Sequence, residues 1–304
     1  MDYVPRSIEP LLQKLLDNAP VIYLNGPRQA GKSTLCRFLG NQFNYITFDK
    51  ATVQASASSD PLAFISNLPP GTIIDEVQLV PEIFRPIKYL IDELRLAKGN
   101  SVTGHFILTG SANIIALPKL AESLVGRMQA LTLLPFSAAE VLHGHINFIS
   151  QIFEKPITYK VVKQKLSLYQ IVQQATFPEV ASGSLIDPIA WYENYVSNII
   201  NRDIKTLADI DKISSLPRML TLLANRAGNL LSHASFARDM GLPVSTYKRY
   251  LELFEHVFLV TLVKPWFKNA SKRLGKSPKV YLTDTALLLA LLGKTSLEIG
   301  RAHV

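Results

Sequence analysis

A chain of 304 residues, 48% of them apolar, is long enough to bury two cores of ordinary size. Its longest apolar run, Ala286 to Leu292, falls far short of the roughly 18 residues a membrane-spanning helix needs. Together with an N-terminus that carries no basic-then-apolar secretion signal, this predicts a cytoplasmic protein with no membrane partner. A single cysteine, Cys36, excludes an internal disulfide or a cysteine-rich metal site, and the net charge of +8 is unevenly placed. Residues 1–150 hold 12 basic and 12 acidic side chains, whereas residues 151–304 hold 20 basic against 12 acidic.

In chain order, the first apolar run is Val21 to Leu24, a predicted strand. It leads into Gly26-Pro27-Arg28-Gln29-Ala30-Gly31-Lys32-Ser33, a complete GxxxxGK[ST] loop, and a helical pattern begins at Thr34. Glycines let successive backbone N–H groups turn toward a phosphate, and the helix that follows aims its positive dipole end at the same anion. Lys32 is placed to reach β- and γ-phosphate oxygens and Ser33 to hold Mg²⁺, so nucleoside triphosphate binding is expected over Gly26 to Thr34. Further strands are predicted at Tyr45–Phe48, Thr72–Ile74, His105–Leu108 and Ala130–Leu133, with a loop or weak helix over Ala51–Asp60. Strands alternating with helical patterns predict an α/β fold, a parallel sheet with helices on both faces.

The third strand runs into Asp75-Glu76, which reads as a Walker B motif with an added catalytic acid. A strand end fixes Asp75 where it can share Mg²⁺ with Ser33, and Glu76 is placed to polarise the water that attacks the γ-phosphate. The fourth strand ends Leu108-Thr109-Gly110-Ser111 and is expected between the first and third strands. Thr109 and Ser111 both qualify as a hydroxyl that senses the γ-phosphate, and strand alternation puts them on the same side. Gly126-Arg127 precedes the last strand. Arg127 is the first choice for an arginine that neutralises charge on the γ-phosphate, in its own chain or across an interface between copies. Arg28 is the second, its alternative role being a pair with a scaffold acid.

Beyond residue 145 the alternation stops, and helices are predicted at Trp191–Leu207 and Leu216–Arg226. A helix-turn-helix pattern follows, a short helix over Phe236–Gly241 and a longer one begun by Ser245 as its cap. Tyr247, Tyr250, Leu251, Phe254, Val257 and Phe258 form the apolar face of the second, which turns Lys248 and Arg249 outward. Leu259–Trp266 and Lys279–Leu282 read as strands around a basic turn that contains Lys268, Lys272, Arg273 and Lys276. The pattern predicts a winged helix with a basic wing, which suits a phosphate backbone. Winged helices also serve as rigid modules that dock proteins. The organisation expected is an ATPase domain at 1–145, a helical connector at 146–215, a winged helix at 216–293 and a tail at 294–304.

These motifs, together with Val77-Gln78, Phe177-Pro178-Glu179, Arg202-Asp203-Ile204 and Lys279 to Thr285, resemble the prokaryotic AAA-like P-loop ATPases that carry a C-terminal domain of unknown function. The resemblance implies ATP rather than GTP, an ATPase core joined to a winged helix and, in longer members, a nuclease-like α/β domain. Residues Ile299 to Val304 read like a sequencing adapter translated in frame, so the natural chain is expected to continue. The functional expectation is a Mg²⁺-dependent ATPase whose cycle controls DNA engagement by the basic half. The alternative is a slow nucleotide-operated switch or scaffold that docks a protein.

Overall fold

The computed structural model describes residues 3–39, 43–111, 124–141, 153, 170, 175–183, 187–205, 213–266 and 276–293. The first half opens with helix α1 (Glu9–Leu16), then strand β1 (Val21–Asn25), helix α2 (Lys32–Phe38) and strand β2 (Asn44–Thr47). Helices α3 (Ala51–Ser59) and α4 (Pro61–Ser66) lead to β3 (Thr72–Asp75), α5 (Phe84–Lys98), β4 (Phe106–Gly110), β5 (Met128–Thr132) and a short α6 (Ala138–Val141). The five strands pair in parallel in the order β2-β3-β4-β1-β5, so β4 lies between β3 and β1 as the sequence predicts.

Central β1 is buried along its whole length, because parallel strands covered on both faces need apolar side chains on both. Val21 and Tyr23 enter the core made with Phe106, Leu108, Ile87 and Ile91, while Ile22 and Leu24 enter the opposite core with Leu12, Leu35, Ile107 and Leu131. Cys36 packs into that second core, where burial pushes its thiol pKa up, an inert structural position. The segment Ala51–Ser59 is helical, and the last strand begins two residues earlier than expected.

The second half contributes α7 (Pro178–Ala181), α8 (Pro188–Asn198), α9 (Leu216–Asn225), α10 (His233–Met240), α11 (Val244–His256), strands β6 (Val260–Val263) and β7 (Lys279–Leu282), and α12 (Thr285–Leu291). α8 continues into a wider π-helical turn over Ile199–Ile204. β6 and β7 form an antiparallel hairpin, joined at Lys279 by an isolated bridge from Leu230. One core runs through all of these elements, from Phe177, Tyr192 and Tyr195 through Leu220 and Leu223 to Phe236, Tyr247, Phe254 and Leu287. The expected connector and the segment after it therefore share a core. α11 begins at Val244 after Pro243 with no side-chain cap, so Ser245 lies inside the first turn; this corrects its expected capping role. Asp284 caps α12 by accepting from Leu287 N at 2.7 Å and also accepts from Thr176 N at 2.8 Å. The Thr176 carbonyl in turn accepts from Phe136 N at 2.8 Å, which ties the two halves together. No helix among the described residues is long and apolar enough to cross a membrane.

Candidate active site

The phosphate loop leaves the C-terminal end of β1 and passes over the end of β5. Leu133 N donates to Asn25 O at 2.8 Å there, and Gly26 follows directly, at φ 145°. A Cβ on Gly26 would stand 2.0 Å from the Leu133 carbonyl oxygen, so the first glycine is required by backbone approach as well as by conformation. Gly31, at φ 94°, turns the chain into α2. From beneath, buried Arg6 donates through Nη1 to Ala30 O at 2.9 Å and through Nη2 to Leu134 O at 2.6 Å, bracing the loop against the segment after β5.

Lys32 is buried at the base of the loop. Its Nζ donates to the carbonyls of Gly26 at 3.0 Å and Pro27 at 2.8 Å. Burial lowers its pKa to about 8, opposed by the negative charges of Glu76 and Asp75. Ser33 Oγ donates to Asp75 Oδ2 at 2.8 Å. The same carboxylate, 4% exposed, also accepts from the hydroxyls of Tyr45 and Thr109. An alcohol and a carboxylate side by side are the hard oxygen donors that suit Mg²⁺, and the ammonium beside them suits the phosphates the ion would accompany.

Glu76 follows immediately. Its backbone sits in the left-handed region at φ 59°, a conformation that costs a non-glycine residue of order 1–3 kcal/mol and tends to persist at functional sites. Burial raises the pKa of its carboxyl group, against the pull of Lys32 and Arg28. The Gln78 side-chain amide donates to Glu76 and, at 3.2 Å, to Ser111 Oγ. The two hydroxyls that strand alternation left equivalent are thus separated by their partners. Thr109 is committed to Asp75, and Ser111 is linked through Gln78 to Glu76.

The two candidate arginines part company as well. Arg28 donates from Nε to Asp203 Oδ2 at 3.1 Å and from Nη2 to Asp203 Oδ1 at 2.9 Å, the scaffold pairing named as its alternative role. Arg127 lies at the start of β5, where Met128 pairs with Val21 at the beginning of β1. At about 3.3 Å per residue, the length of β1 separates that end of the sheet from the phosphate loop by roughly 17 Å. Its guanidinium pairs with Asp92 instead, Nε to Oδ1 at 2.8 Å and Nη2 to Oδ2 at 3.1 Å. This corrects the expectation that Arg127 serves the nucleotide of its own chain, because it occupies the wrong end of the sheet.

In the second half, Lys248 and Arg249 are exposed on α11 while Tyr247, Tyr250, Leu251 and Phe254 face the core. Lys276 is exposed too; Lys268, Lys272 and Arg273 lie outside the described residues. Sequence reading missed Tyr45 and Arg6, each a lone polar residue in no recognisable spacing. Gln78 and Asp203 were visible only as members of the runs Ile74–Gln78 and Arg202–Ile204, with no role attached to either.

Residues 18–142 match the family model described as an AAA domain, and residues 165–298 match that of a domain of unknown function, DUF8612. An AAA domain thus precedes a domain of unknown function in this chain. Among curated proteins it is 31% identical, over 283 residues, to "Uncharacterized protein Rv2008c" of Mycobacterium tuberculosis and to "Uncharacterized protein Mb2031c" of Mycobacterium bovis. The match covers 93% of this chain and 58% of each relative, so the chain spans a little over half the length of those proteins. Among solved structures it is similar to the Walker-type ATPase PABY2304 of Pyrococcus abyssi, with TM-score 0.47, 16% identity, and 95% and 96% of the two chains covered. It is also similar to the Aeropyrum pernix ORC1 protein in complex with DNA, with TM-score 0.29, 14% identity, and 95% and 94% covered.

Proposed function

We propose that this chain binds and hydrolyses ATP with Mg²⁺ and that its nucleotide state controls how the basic second half engages duplex DNA. The observation that carries the first part is the 2.8 Å contact between Ser33 of the phosphate loop and Asp75 at the end of β3, with Glu76 next in the chain. In this reading Ser33 and Asp75 hold Mg²⁺, which when bound neutralises charge on the β- and γ-phosphates. Lys32 exchanges its loop carbonyls for phosphate oxygens. Glu76 leaves the Gln78 amide to accept a proton from the attacking water, and Ser111 couples that release to the phosphate.

For the second part, three helices followed by an antiparallel hairpin form a winged helix in this reading, with residues 1–145 as the ATPase domain and a cytoplasmic setting. Support comes from the charge of the second half and the exposure of Lys248, Arg249 and Lys276. One observation favours protein docking instead. Val263, Tyr281 and Leu230, with Trp266 beyond, leave apolar side chains exposed along the hairpin, 74% in the case of Trp266. Partners for such a surface are proteins more often than phosphates.

ATP turnover measured with and without double- and single-stranded DNA tests both parts. Glu76→Gln should keep nucleotide binding and lose on the order of 10²-fold or more in turnover, whereas Lys32→Ala should weaken binding itself. Parent-rate turnover by Glu76→Gln would remove the Walker B assignment and the catalytic role of Glu76. Turnover and binding that ignore DNA would transfer the second half to the docking reading.

A further inference from the structure

The second half of the chain closes on the phosphate loop at Arg28, Gln29 and Gly31. Arg28 makes its two-bond pair with Asp203, and the Arg28 carbonyl accepts from the Tyr195 hydroxyl at 3.3 Å. Gln29 Nε2 donates to Glu179 at 3.3 Å, and Pro178 Cγ lies 3.7 Å from where a Cβ on Gly31 would stand. Asp203 is 8% exposed and belongs to the π-helical turn Ile199–Ile204. Such a turn carries one more residue than an α-turn, resetting which side chains face the loop, and π-turns recur at functional sites.

Stability is a weak reason for this pair to exist. Two charges drawn out of water recover little net free energy, and an apolar pair of similar volume would hold the halves together as well. The geometry has another use. Asp203 occupies Nε and Nη2, the edge of the guanidinium nearest its stem, so the fork is fixed in orientation while Nη1 stays on the far side. Arg28 is the third residue of the phosphate loop, close enough to Glu76 and Lys32 for its charge to act on both.

We propose that Asp203 is a positioning residue that holds Arg28 so that Nη1 meets the γ-phosphate as charge develops on it. The second half must then be seated on the loop for turnover. The inference rests on the ATPase reading above and adds its regulation: whatever moves the second half, DNA included, withdraws Asp203 and slackens the catalytic arginine.

The test uses the full chain, with kcat and KM for Mg²⁺-ATP, binding of a fluorescent ATP analogue, and a thermal melt for each variant. Asp203→Asn should lower kcat by about tenfold or more with KM within about threefold, since a charge-stabilising arginine acts mainly in the transition state. Asp203→Glu should recover part of the loss. Arg28→Lys, which cannot form the fork, should fall at least as far, and adding Asp203→Asn to it should cost nothing further, because the two act as a unit. Unchanged or raised kcat in Asp203→Asn, or losses that multiply in the double variant, would overturn the inference. Should Asp203→Asn melt before assay, Arg28→Lys and Asp203→Glu decide it by the same kcat-against-KM comparison. Absence of turnover in the parent overturns the ATPase reading and this inference together; an active parent with an equally active Asp203→Asn overturns this inference alone.

Discussion

Gly26→Ala isolates what the first loop glycine does for the scaffold. A Cβ there would lie 2.0 Å from the Leu133 carbonyl oxygen, and that oxygen belongs to backbone, which cannot rotate aside as a side chain would. Either the loop or the end of β5 has to move, breaking the 2.8 Å bond from Leu133 N to Asn25 O. Overpacking of this kind costs about 1–3 kcal/mol, and holding alanine at φ 145° costs about 1–3 kcal/mol more, so the total is roughly 2–6 kcal/mol. Gly126→Ala supplies the internal comparison. There φ is also positive, at 74°, but nothing lies within 4 Å of the added methyl, so only the backbone term of about 1–2 kcal/mol applies. Urea unfolding followed by circular dichroism, with both variants referred to the parent, reads the difference. If Gly26→Ala costs no more than Gly126→Ala, the close approach to Leu133 does not constrain the loop and packing is not the reason for the glycine.

Thr109→Val keeps the shape of a buried side chain but removes one of the hydroxyls on Asp75. It should cost about 1.5–3 kcal/mol in urea unfolding, the usual range for a hydrogen bond to a charged group, and a cost under about 0.5 kcal/mol would deny that bond. Arg127→Ala removes a half-exposed ion pair with Asp92 and should cost no more than about 1 kcal/mol in the same assay. If it abolishes turnover nonetheless, and mixing with Glu76→Gln protein restores part of it, Arg127 serves a neighbouring copy. Lys248→Ala with Arg249→Ala should flatten the dependence of log DNA affinity on log salt by up to about two units, one for each phosphate no longer neutralised, while ATP turnover without DNA stays at the parent rate. An unchanged slope in a binding titration assigns α11 no phosphates.

What the sequence reveals about this site is what neighbouring residues build between them. Gly26 to Ser33 are consecutive, and their backbone geometry is local, so the pattern identifies the loop; Val21 to Leu24 are apolar without interruption because both faces of β1 are covered. Asp75 is legible for a related reason: a carboxylate that ends an apolar strand sits at the sheet edge that the loop also occupies. Arg127 shows where that logic fails. Gly126-Arg127 is just as local, but the spacing does not register the end of the sheet: β5 runs parallel to β1 and begins at Met128, so a residue immediately before it lies opposite the loop end. Tyr45 and Arg6 escape for the opposite reason. Tyr45 reads as one more strand residue until β2 pairs with β3 and brings its hydroxyl to Asp75, and Arg6 acquires a role only when the N-terminal segment packs beneath Ala30. Asp203 is the furthest case. An apolar pattern at helical spacing extends an ordinary helix through it, and only the π-turn, which no spacing rule announces, brings its carboxylate to Arg28. The loop's backbone is therefore written in the first half of the chain, while the orientation of its arginine is written 175 residues later. That division lets the second half hold Arg28 without contributing to the motif.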